Sequence, residues 1–437
     1  MNKQLRKLII LAIPIIATQF SQMAMGFIDT MMAGHASAAD LAAVAVGSSL
    51  WIPFFLFMAG ILTAITPTVA HFRGAQQFHK IGHSIRQSMW LGLVMGFLGY
   101  YLLTSTTPVL IFMDVEASLV PITSGYLYAI AWGMPAIAGF LILRYLNEGM
   151  GNIIPVMLTG LAGLCINILA NYILIFGHFG APALGGIGAG WATTITHWFM
   201  LLLLVIYVYR TGKYQPLELF SGRISPHLSE LRLLTRLGLP IGIALFVEGS
   251  IFSVIALLIA SLGVVTVASH QIALNFSSLL FISPLSISMA LTIQVGHAMG
   301  AGQIQQVRNT IKAGYLVNLT TAILAALLIL NFAAEIAQLY SNDPEVVQLA
   351  SGLMIFAALY QVSDGIQLSA SGSLRGLKDT AVPMLFSIIA YWIIGLPLGY
   401  ILGLTDWLVS PLASQGFWIG LLIGLTISAI LLSARLY

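Results

Sequence analysis

The sequence predicts an all-α integral membrane protein of twelve transmembrane helices, arranged as two pseudo-symmetric six-helix bundles around a central cavity. Three observations lead to this prediction. First, 59% of the 437 residues are hydrophobic and only 7% are charged, whereas soluble domains carry about 25% charged residues. Second, apolar segments of about 20 residues, the length that crosses a bilayer, recur along the chain. Third, the second half of the chain repeats features of the first.

Twelve segments are long and apolar enough to cross a bilayer. We expect them to be helices, because a helix satisfies its own backbone hydrogen bonds in lipid. The first segment is too long and unbroken for a cleaved signal peptide, and no small-residue cleavage motif follows its short basic start. The predicted segments are 8–33, 43–70, 87–107, 119–143, 153–177, 187–209, 233–262, 268–297, 311–333, 346–371, 380–403 and 413–434.

The positions of the basic residues predict how the chain crosses the membrane. All 17 Lys and Arg residues lie at the N-terminus, after an even-numbered segment or at the C-terminus, and the loop after the fourth segment is predicted to contain Arg144. The loops on the other side contain acidic residues, such as Asp40 and Asp114, and no Lys or Arg. Because short basic loops stay in the cytoplasm, we expect both termini to be cytoplasmic.

The two halves of the chain resemble each other at an offset of about 226 residues. Pro14 matches Pro240, and VAHFRGA at 69–75 matches VGHAMGA at 295–301. Each copy would contain six helices, an even number, so both copies would cross the membrane in the same direction, as in a parallel repeat. The polar stretch between the copies, which includes Arg223, predicts a linker. The predicted organisation is an N-terminal lobe at 1–209, a cytoplasmic linker at 210–232 and a C-terminal lobe at 233–437.

The composition argues against several classes of protein and site. The net charge of +3 comes from basic residues spread over separate short loops, which does not indicate nucleic-acid binding. The single cysteine, Cys165, cannot form an intrachain disulfide, and no Cys and His cluster indicates a metal site. The glycine-rich run at 185–190 follows no predicted strand, so it does not predict a dinucleotide site. We expect neither a cofactor nor an enzyme.

Three carboxylates lie inside long apolar segments: Asp29, Glu248 and Asp364. A charge at the centre of a bilayer costs roughly 3 kcal/mol on insertion scales, so such a residue normally faces a cavity or a partner. We expect no Lys or Arg at membrane depth to neutralise these acids. Because desolvation disfavours a charged carboxyl, we expect them to lose and regain protons near physiological pH and to exchange H⁺ or Na⁺ for a cationic substrate. The pattern predicts an ion-coupled transporter.

The richest polar surroundings are those of Asp364. Tyr360 and Gln361 precede it by four and three residues and Gln367 follows it by three, so all can share one helical face. Oxygen ligands suit hard cations such as Na⁺, so Glu248, Tyr360 and Asp364 predict a cation or proton site, with Na⁺ as the metal it would hold. The alternative is a fixed, hydrogen-bonded pair that only joins helices. The eighth segment adds two amides four residues apart, Gln271 and Asn275.

A second polar group is predicted in the first half. Asp29 follows Gln22 by seven residues on nearly the same helical face, and Gln22 is the position that aligns with Glu248 in the repeat. Asn167 and Asn171 in the fifth segment are four residues apart. Because amides also hydrogen-bond between membrane helices, for about 1 kcal/mol, a structural role is the alternative for the two asparagines.

Six segments of the chain resemble a known transporter family. They are GFIDTMMAG, DLAAVAVGSSLWIP, VAHFRGA, PIGIALFVEGSIFSVIALLIASLG, VASHQIALNFSSLLFISPLSISMA and ALYQVSDGIQLSASGSLRGLKDT. Together they resemble the multidrug and toxic compound extrusion family, known as MATE, in its bacterial NorM branch. The resemblance covers essentially the whole chain.

This resemblance implies both a fold and a function. It implies two lobes around a V-shaped cavity, and export of cationic amphipathic drugs and dyes across a bacterial inner membrane in exchange for Na⁺ or H⁺. Such a transporter needs no cofactor and is expected to work as a monomer, with small organic cations and membrane lipid as its partners. The positions that resemble the family's second-lobe cation site are Glu248, Tyr360 and Asp364, and those that resemble its first-lobe polar cluster, associated with proton coupling, are Asp29, Asn167 and Asn171.

Other functions explain the sequence less well. A lipid-linked oligosaccharide flippase can share the two-lobe architecture, but its anionic cargo calls for Lys or Arg at membrane depth. A membrane-embedded hydrolase would use paired acids, whereas these three occupy separate halves without a dyad motif. Long duplicated bundles with buried acids fit a carrier better than a passive channel. The sequence therefore favours a secondary active antiporter that works by alternating access, with the flippase as the alternative.

Overall fold

A computed structural model describes residues 2–219 and 225–437 of the chain. Within these ranges the structure contains helices and no β-strand, which confirms the predicted all-α class. Gly222 and Arg223 of the predicted linker lie outside the described residues. In chain order the helices are α1 Asn2–Ala36, α2 Ala38–Thr63, α3 Ile65–Gly74, α4 Phe78–Thr104, α5 Thr107–Phe112, α6 Val120–Ala131, α7 Met134–Gly149, α8 Ile154–Phe176, α9 Gly186–Arg210, α10 Leu228–Ile259, α11 Val264–Gly300, α12 Ile304–Gln338, α13 Pro344–Gly376, α14 Ala381–Ile388, α15 Leu396–Leu404 and α16 Ser414–Leu436, and a π-helical stretch at Ile389–Gly395 joins α14 to α15.

Several helix ends follow from local sequence signals. Ser37 precedes α2, and its hydroxyl accepts a hydrogen bond from the backbone N–H of Asp40 at 3.0 Å. Asp343 precedes α13, and its carboxylate accepts one from the backbone N–H of Glu345 at 2.9 Å. Such caps satisfy N–H groups that the first helical turn leaves without partners. α8 ends at Gly177, whose φ of +76° suits the left-handed turn that stops a helix.

The number and length of the apolar helices fit a membrane protein. Within the described ranges, ten helical stretches are long and apolar enough to cross a membrane, and α6 with α7 makes an eleventh, as a pair bent by 44°. The helix α4 covers most of the remaining predicted segment, 87–107, but begins earlier, at Phe78. Every predicted segment thus coincides largely with helix, and the chain is a multi-pass membrane protein.

One predicted boundary is wrong in a way that matters for function. The prediction ends the fourth segment at 143 and leaves Arg144 in a loop, but α7 continues to Gly149 and Arg144 is only 4% exposed. Hydropathy misplaces this end because Arg144, Asn147 and Glu148 are strongly polar, although all three are buried in the helix. Arg144, expected in a loop, is therefore buried in a helix, whereas the absence of Lys and Arg at membrane depth stays a prediction.

Contacts group the chain into two compact units. We call Pro14–Gly242 the first unit, and Met1–Ile13 together with Ile243–Tyr437 the second unit. The predicted lobes, 1–209 and 233–437, are divided at the polar linker instead. Their boundaries stay a prediction.

Each unit contains one helix that is buried along most of its length. In the first unit this helix is α7, which packs against α3, α4 and α9; in the second unit it is α13, which packs against α11, α12 and α16. The two helices make equivalent contacts. A Cβ atom at Gly149 would lie 2.6 Å from Cβ of Val69, and one at Gly376 would lie 2.8 Å from Cβ of Val295. Only glycine permits so close an approach, so the sequence repeat corresponds to repeated packing.

The described part of the predicted linker packs against the first unit. The helical turn Gly212–Leu217 carries Tyr214, whose hydroxyl donates a hydrogen bond to Asn147 and accepts one from Asn152 at 2.9 Å. Burial raises the pKa of Tyr214 to about 12, so this phenol stays neutral at physiological pH. These bonds fix the start of the linker to the end of α7.

Candidate functional site

In the first unit, Asp29 on α1 is held by three neutral donors. Its Oδ1 atom accepts hydrogen bonds from the side-chain amides of Asn167 at 2.9 Å and Asn171 at 2.6 Å. Its Oδ2 atom accepts one from the hydroxyl of Thr193 at 2.8 Å. All four side chains, which we call the Asp29 cluster, are buried. Hydrogen bonds to a carboxylate favour its charged form, but neutral donors leave that charge uncompensated.

The helices that carry these donors explain the geometry. Asn167 and Asn171 lie one turn apart on α8, and the amide of Asn171 also donates to Oδ1 of Asn167 at 3.2 Å. Thr193 lies on α9, which packs against α8. The sequence prediction missed Thr193, because a single threonine in an apolar helix usually bonds to its own backbone, as Thr196 does at 2.8 Å.

Gln22 does not belong to the Asp29 cluster, although the sequence predicted it there. Its side-chain oxygen accepts a hydrogen bond from Nη1 of Arg144 at 2.9 Å. Nη2 of Arg144 donates to the side-chain oxygen of Gln19 at 2.7 Å, and Nε donates to Oε1 of Glu148 at 2.7 Å. We call these four residues the Arg144 network. Gln22 does share a face of α1 with Asp29, but the spacing could not tell which helix meets that face at each height.

In the second unit, Glu248 on α10 has two neutral donors. Its Oε1 atom accepts hydrogen bonds from the hydroxyl of Ser387 at 2.9 Å and from the amide of Gln367 at 3.4 Å. Arg375 on α13 interacts with it electrostatically. Asp364 is 2% exposed and also interacts electrostatically with Glu248. Among the described residues, its Oδ2 atom has no hydrogen-bond partner.

Two phenols complete this group. The hydroxyl groups of Tyr360 and Tyr391 lie 3.4 Å apart, and both phenols interact electrostatically with Asp364 and Glu248. We call Glu248, Tyr360, Asp364 and Tyr391 the Asp364 cluster. The sequence prediction missed Tyr391, because it lies in the π-helical stretch, where the usual helical spacing does not apply.

The Asp364 cluster offers only oxygen atoms. Within the described residues, no group of three or more His, Cys, Asp or Glu side chains could hold a metal ion. A metal ion at this cluster would therefore need oxygen ligands in addition to its two carboxylates, and the phenols of Tyr360 and Tyr391 lie beside them. Such all-oxygen surroundings suit hard cations rather than transition metals.

The predicted amides of the second half behave differently from one another. Gln367 reaches Glu248, as described above, whereas Gln361 donates to the backbone oxygen of Ser277 at 3.2 Å. Gln271 donates to Asn275 at 3.1 Å, and both side chains are exposed. The described residues show no hydrogen bond from this second pair to either carboxylate, so their predicted supporting role stays a prediction.

Comparison with known proteins identifies relatives along the whole chain. A family model described as MatE matches residues 14–173 and 240–401, one stretch in each half of the repeat. The multidrug resistance protein MdtK of Yersinia pseudotuberculosis (serotype O:1b, strain IP 31758) is 46% identical over 432 residues, covering 99% of this chain and 94% of the relative. The protein of the same name from Yersinia enterocolitica (serotype O:8) has the same identity and coverage.

Solved structures with the same fold extend this similarity. The eukaryotic MATE transporter AtDTX14 superposes with a TM-score of 0.87 at 21% identity, covering 99% of this chain and 95% of that one. The outward-facing conformation of a multidrug resistance MATE family transporter of the MOP superfamily gives a TM-score of 0.89 at 18% identity, with the same coverage. These structures show the predicted helical transporter fold.

Proposed function

The chain belongs to the MatE family, and on that premise we propose that it is a secondary active multidrug efflux antiporter. It is a membrane transporter and not an enzyme. The proposed substrates are cationic amphipathic drugs and dyes. Support for this choice comes from buried acidic sites and from relatives at 46% identity that are named multidrug resistance proteins. The proposed driving ion is Na⁺ or H⁺.

The observation that carries the proposal is the Asp29 cluster. A buried acid with a purely structural role normally has a basic partner, as Glu148 has in Arg144 at 2.7 Å. The three donors to Asp29 are neutral instead. An uncompensated carboxylate inside an apolar helix is costly, and a bound proton or cation removes that cost. We therefore propose that Asp29 binds and releases a coupling proton.

The Asp364 cluster is the second proposed ion site. Two carboxylates that repel each other, next to an unsatisfied oxygen on Asp364, form an arrangement that a cation stabilises. Glu248, Tyr360 and Asp364 are the proposed oxygen ligands of Na⁺, with Tyr391 beside them. The Arg375 charge near Glu248 offsets only part of the acidity.

Coupling follows from competition for these acids. In the inward-open state the ionised carboxylates attract an organic cation. After reorientation, Na⁺ or H⁺ from outside occupies the acids and displaces the drug. Exchange is tight if one set of carboxylates cannot serve both cargoes at once, because each ligand then lowers the affinity for the other by the same factor.

The same proposal includes location and assembly. The family and the long apolar helices support a multi-pass protein of the bacterial inner membrane. The distribution of Lys and Arg supports cytoplasmic termini. A single chain contains both ion clusters, so we propose a functional monomer that needs no cofactor. A flippase for an anionic lipid is less well supported, since Glu148 engages the buried Arg144.

Transport in proteoliposomes tests the proposal. Vesicles loaded with a fluorescent organic cation would be given a Na⁺ gradient or a pH gradient, each alone, and then both with ionophores. The proposal predicts that at least one ion gradient accelerates the efflux of the drug from the loaded vesicles, and that the matching ionophore abolishes the effect. A rate of drug efflux that changes with neither the Na⁺ gradient nor the pH gradient would exclude an antiporter.

A further inference from the structure

The Arg144 network lies outside both proposed ion sites, yet every nitrogen of its buried guanidinium group is hydrogen-bonded. Arg144 and Glu148 are 4% and 1% exposed, and they lie one turn apart on α7. Each nitrogen of the guanidinium group donates a hydrogen bond: Nε to Glu148, Nη1 to Gln22 and Nη2 to Gln19. Burying an ion pair is expensive and is often no better for stability than apolar packing. Stability alone therefore does not explain the Arg144 network.

The fold repeat gives a second reason to look for a role. An offset of 226 residues takes Gln22 to Glu248, and an offset of 227, the one that relates Gly149 to Gly376, takes Glu148 to Arg375. In the second unit these positions of α10 and α13 carry opposite charges that interact. The Arg144 network thus occupies the place that holds part of the proposed ion site in the other unit.

The network also lies on the helix face that presents Asp29. Gln22 and Asp29 are seven residues apart, which is two helical turns, or about 10 Å along α1. On this face α1 has two polar attachments in the first unit. One is to α7 through Arg144, and the other is to α8 and α9 through the Asp29 cluster. Because α7 packs against α9, the two attachments are joined through a neighbouring helix.

We infer that the Arg144 network positions α1 so that Asp29 reaches its three donors. Arg144 is a positioning residue here: its side-chain hydrogen bonds go to Glu148, Gln22 and Gln19 and not to Asp29, and it acts through the placement of α1. The planar guanidinium fork suits this task because it can hold two side chains of α1 and one of α7 in fixed directions, which a lysine ammonium cannot do. The inference rests on the proposed function, in which Asp29 exchanges protons.

The alternative is that the ion pair only stabilises α7. Gln22→Leu separates the two explanations, because it removes one of the two hydrogen bonds from Arg144 to α1, the other being to Gln19, and leaves Arg144 paired with Glu148. The positioning role predicts that Gln22→Leu, and more strongly the double variant Gln19→Leu/Gln22→Leu, raises the pH midpoint of efflux by about one unit. A carboxylate that loses hydrogen bonds binds its proton more readily. Arg144→Gln should show the same shift, and Arg144→Lys a smaller one.

Other titratable groups near Asp29 must be considered in this test. Tyr126 on α6 interacts with Asp29 electrostatically, and His197 on α9 contacts the backbone oxygen of Thr193 at 2.8 Å. The Asp29→Asn variant identifies the source of the pH dependence, because it removes only the Asp29 signal. A matched control is Gln294→Leu, a buried glutamine of the second unit, which should leave the midpoint unchanged.

A second readout keeps the inference independent of transport. The carboxyl C=O band that Asp29→Asn removes from the infrared spectrum of the purified protein reports the protonation of Asp29 directly. Its titration midpoint should move upward by the same amount in Gln22→Leu. If the midpoint stays at the wild-type value in Gln22→Leu and in the double variant, the positioning role is wrong, whatever Arg144→Gln does. Absence of ion-driven efflux in the wild type would instead overturn the proposed function and leave this spectroscopic test valid.

Discussion

The Asp29 cluster and the Asp364 cluster bury acids in different ways. Asp29 has three neutral donors from two helices, which engage both of its oxygens. Asp364 is also buried, but its Oδ2 atom lacks a hydrogen-bond partner among the described residues, and it interacts electrostatically with another acid, Glu248. We propose that the first site is organised around a proton-binding carboxylate and the second around a cation that its carboxylates bind. This difference favours a proton at Asp29 and a metal cation at Asp364.

The repeat shows that the two sites are not copies of each other. An offset of 226 takes Asp29 to Ile255, and an offset of 227 takes Asp364 back to Ile137; both isoleucines are buried. Each unit therefore has an apolar side chain where the other has its acid. Two halves with common packing have acquired different polar sites, so their roles in coupling should be separable by mutation.

The largest expected effect is that of Asp364→Asn. We predict that ion-driven efflux falls by about 30-fold or more, since losing one member of a buried charged group costs about 2–5 kcal/mol. Transport would be measured in proteoliposomes, with size-exclusion chromatography to check folding. Ser363→Ala is a matched control on the same helix, where the hydroxyl contacts Thr426. Near-normal transport by Asp364→Asn would remove the second site from the account.

Asp29→Asn should affect the first site and leave the second site working. We predict that the variant loses the pH dependence of efflux, with at least about a tenfold loss of proton-driven rate, equivalent to 1.4 kcal/mol. Its response to Na⁺ should stay within about twofold of the wild type, a change below 0.5 kcal/mol. Equal loss of both responses would mean that the two acids act as one site.

A smaller effect is expected when one donor to Asp29 is removed. Thr193→Val deletes the hydroxyl that, in the described part of the chain, bonds Oδ2 of Asp29, and keeps the shape of the side chain. A hydrogen bond to a charged group contributes about 1.5–3 kcal/mol, so the pH midpoint of efflux should rise by about one unit, each unit being 1.36 kcal/mol. Thr196→Val on the same helix removes a hydroxyl that bonds the backbone oxygen of Ala192 in its own helix, and should leave the midpoint unchanged.

Tyr391→Phe should have the smallest effect, confined to the second site. Loss of one neutral hydroxyl weakens Na⁺ binding by about 1 kcal/mol. The Na⁺ concentration for half-maximal efflux should therefore rise about fivefold, while the pH midpoint stays unchanged. Together with Thr193→Val, this variant tests both arms of the comparison. A change in pH dependence without a change in Na⁺ affinity would contradict the assignment of Tyr391.

The residues show what a sequence can predict and where it stops. The sequence singles out Asp29, Asn167, Asn171 and Asp364, because charged and amide groups are rare inside apolar helices, and their functional roles stay a proposal. Thr193 and Ser387 were missed, since hydroxyl groups are common in such helices and their partner depends on which helix packs alongside. Spacing placed Gln22 and Asp29 on one face correctly, but only packing separates their neighbours.

The boundaries of the helices failed for a related reason. Hydropathy ends a segment at the first cluster of charges, and so left Arg144 in a loop. In the structure Glu148 and two glutamines of α1 compensate that charge and let α7 continue through it. The helical fold itself can be predicted, because it depends on the mean hydropathy of each segment. That mean does not depend on which distant residues pair with each other.

The central claim is that drug and ion compete for the same buried acids, and ion release on drug binding tests it most directly. Purified protein would be titrated with tetraphenylphosphonium in weakly buffered solution, with a pH indicator and a Na⁺-selective electrode recording displaced ions. The account predicts that drug binding releases H⁺ or Na⁺ and that this release saturates as the drug site fills. If the released ion is Na⁺, Asp364→Asn abolishes the release. If it is H⁺, Asp29→Asn abolishes it. Saturable drug binding with no ion release from the wild type, or release unchanged in both variants, would contradict it.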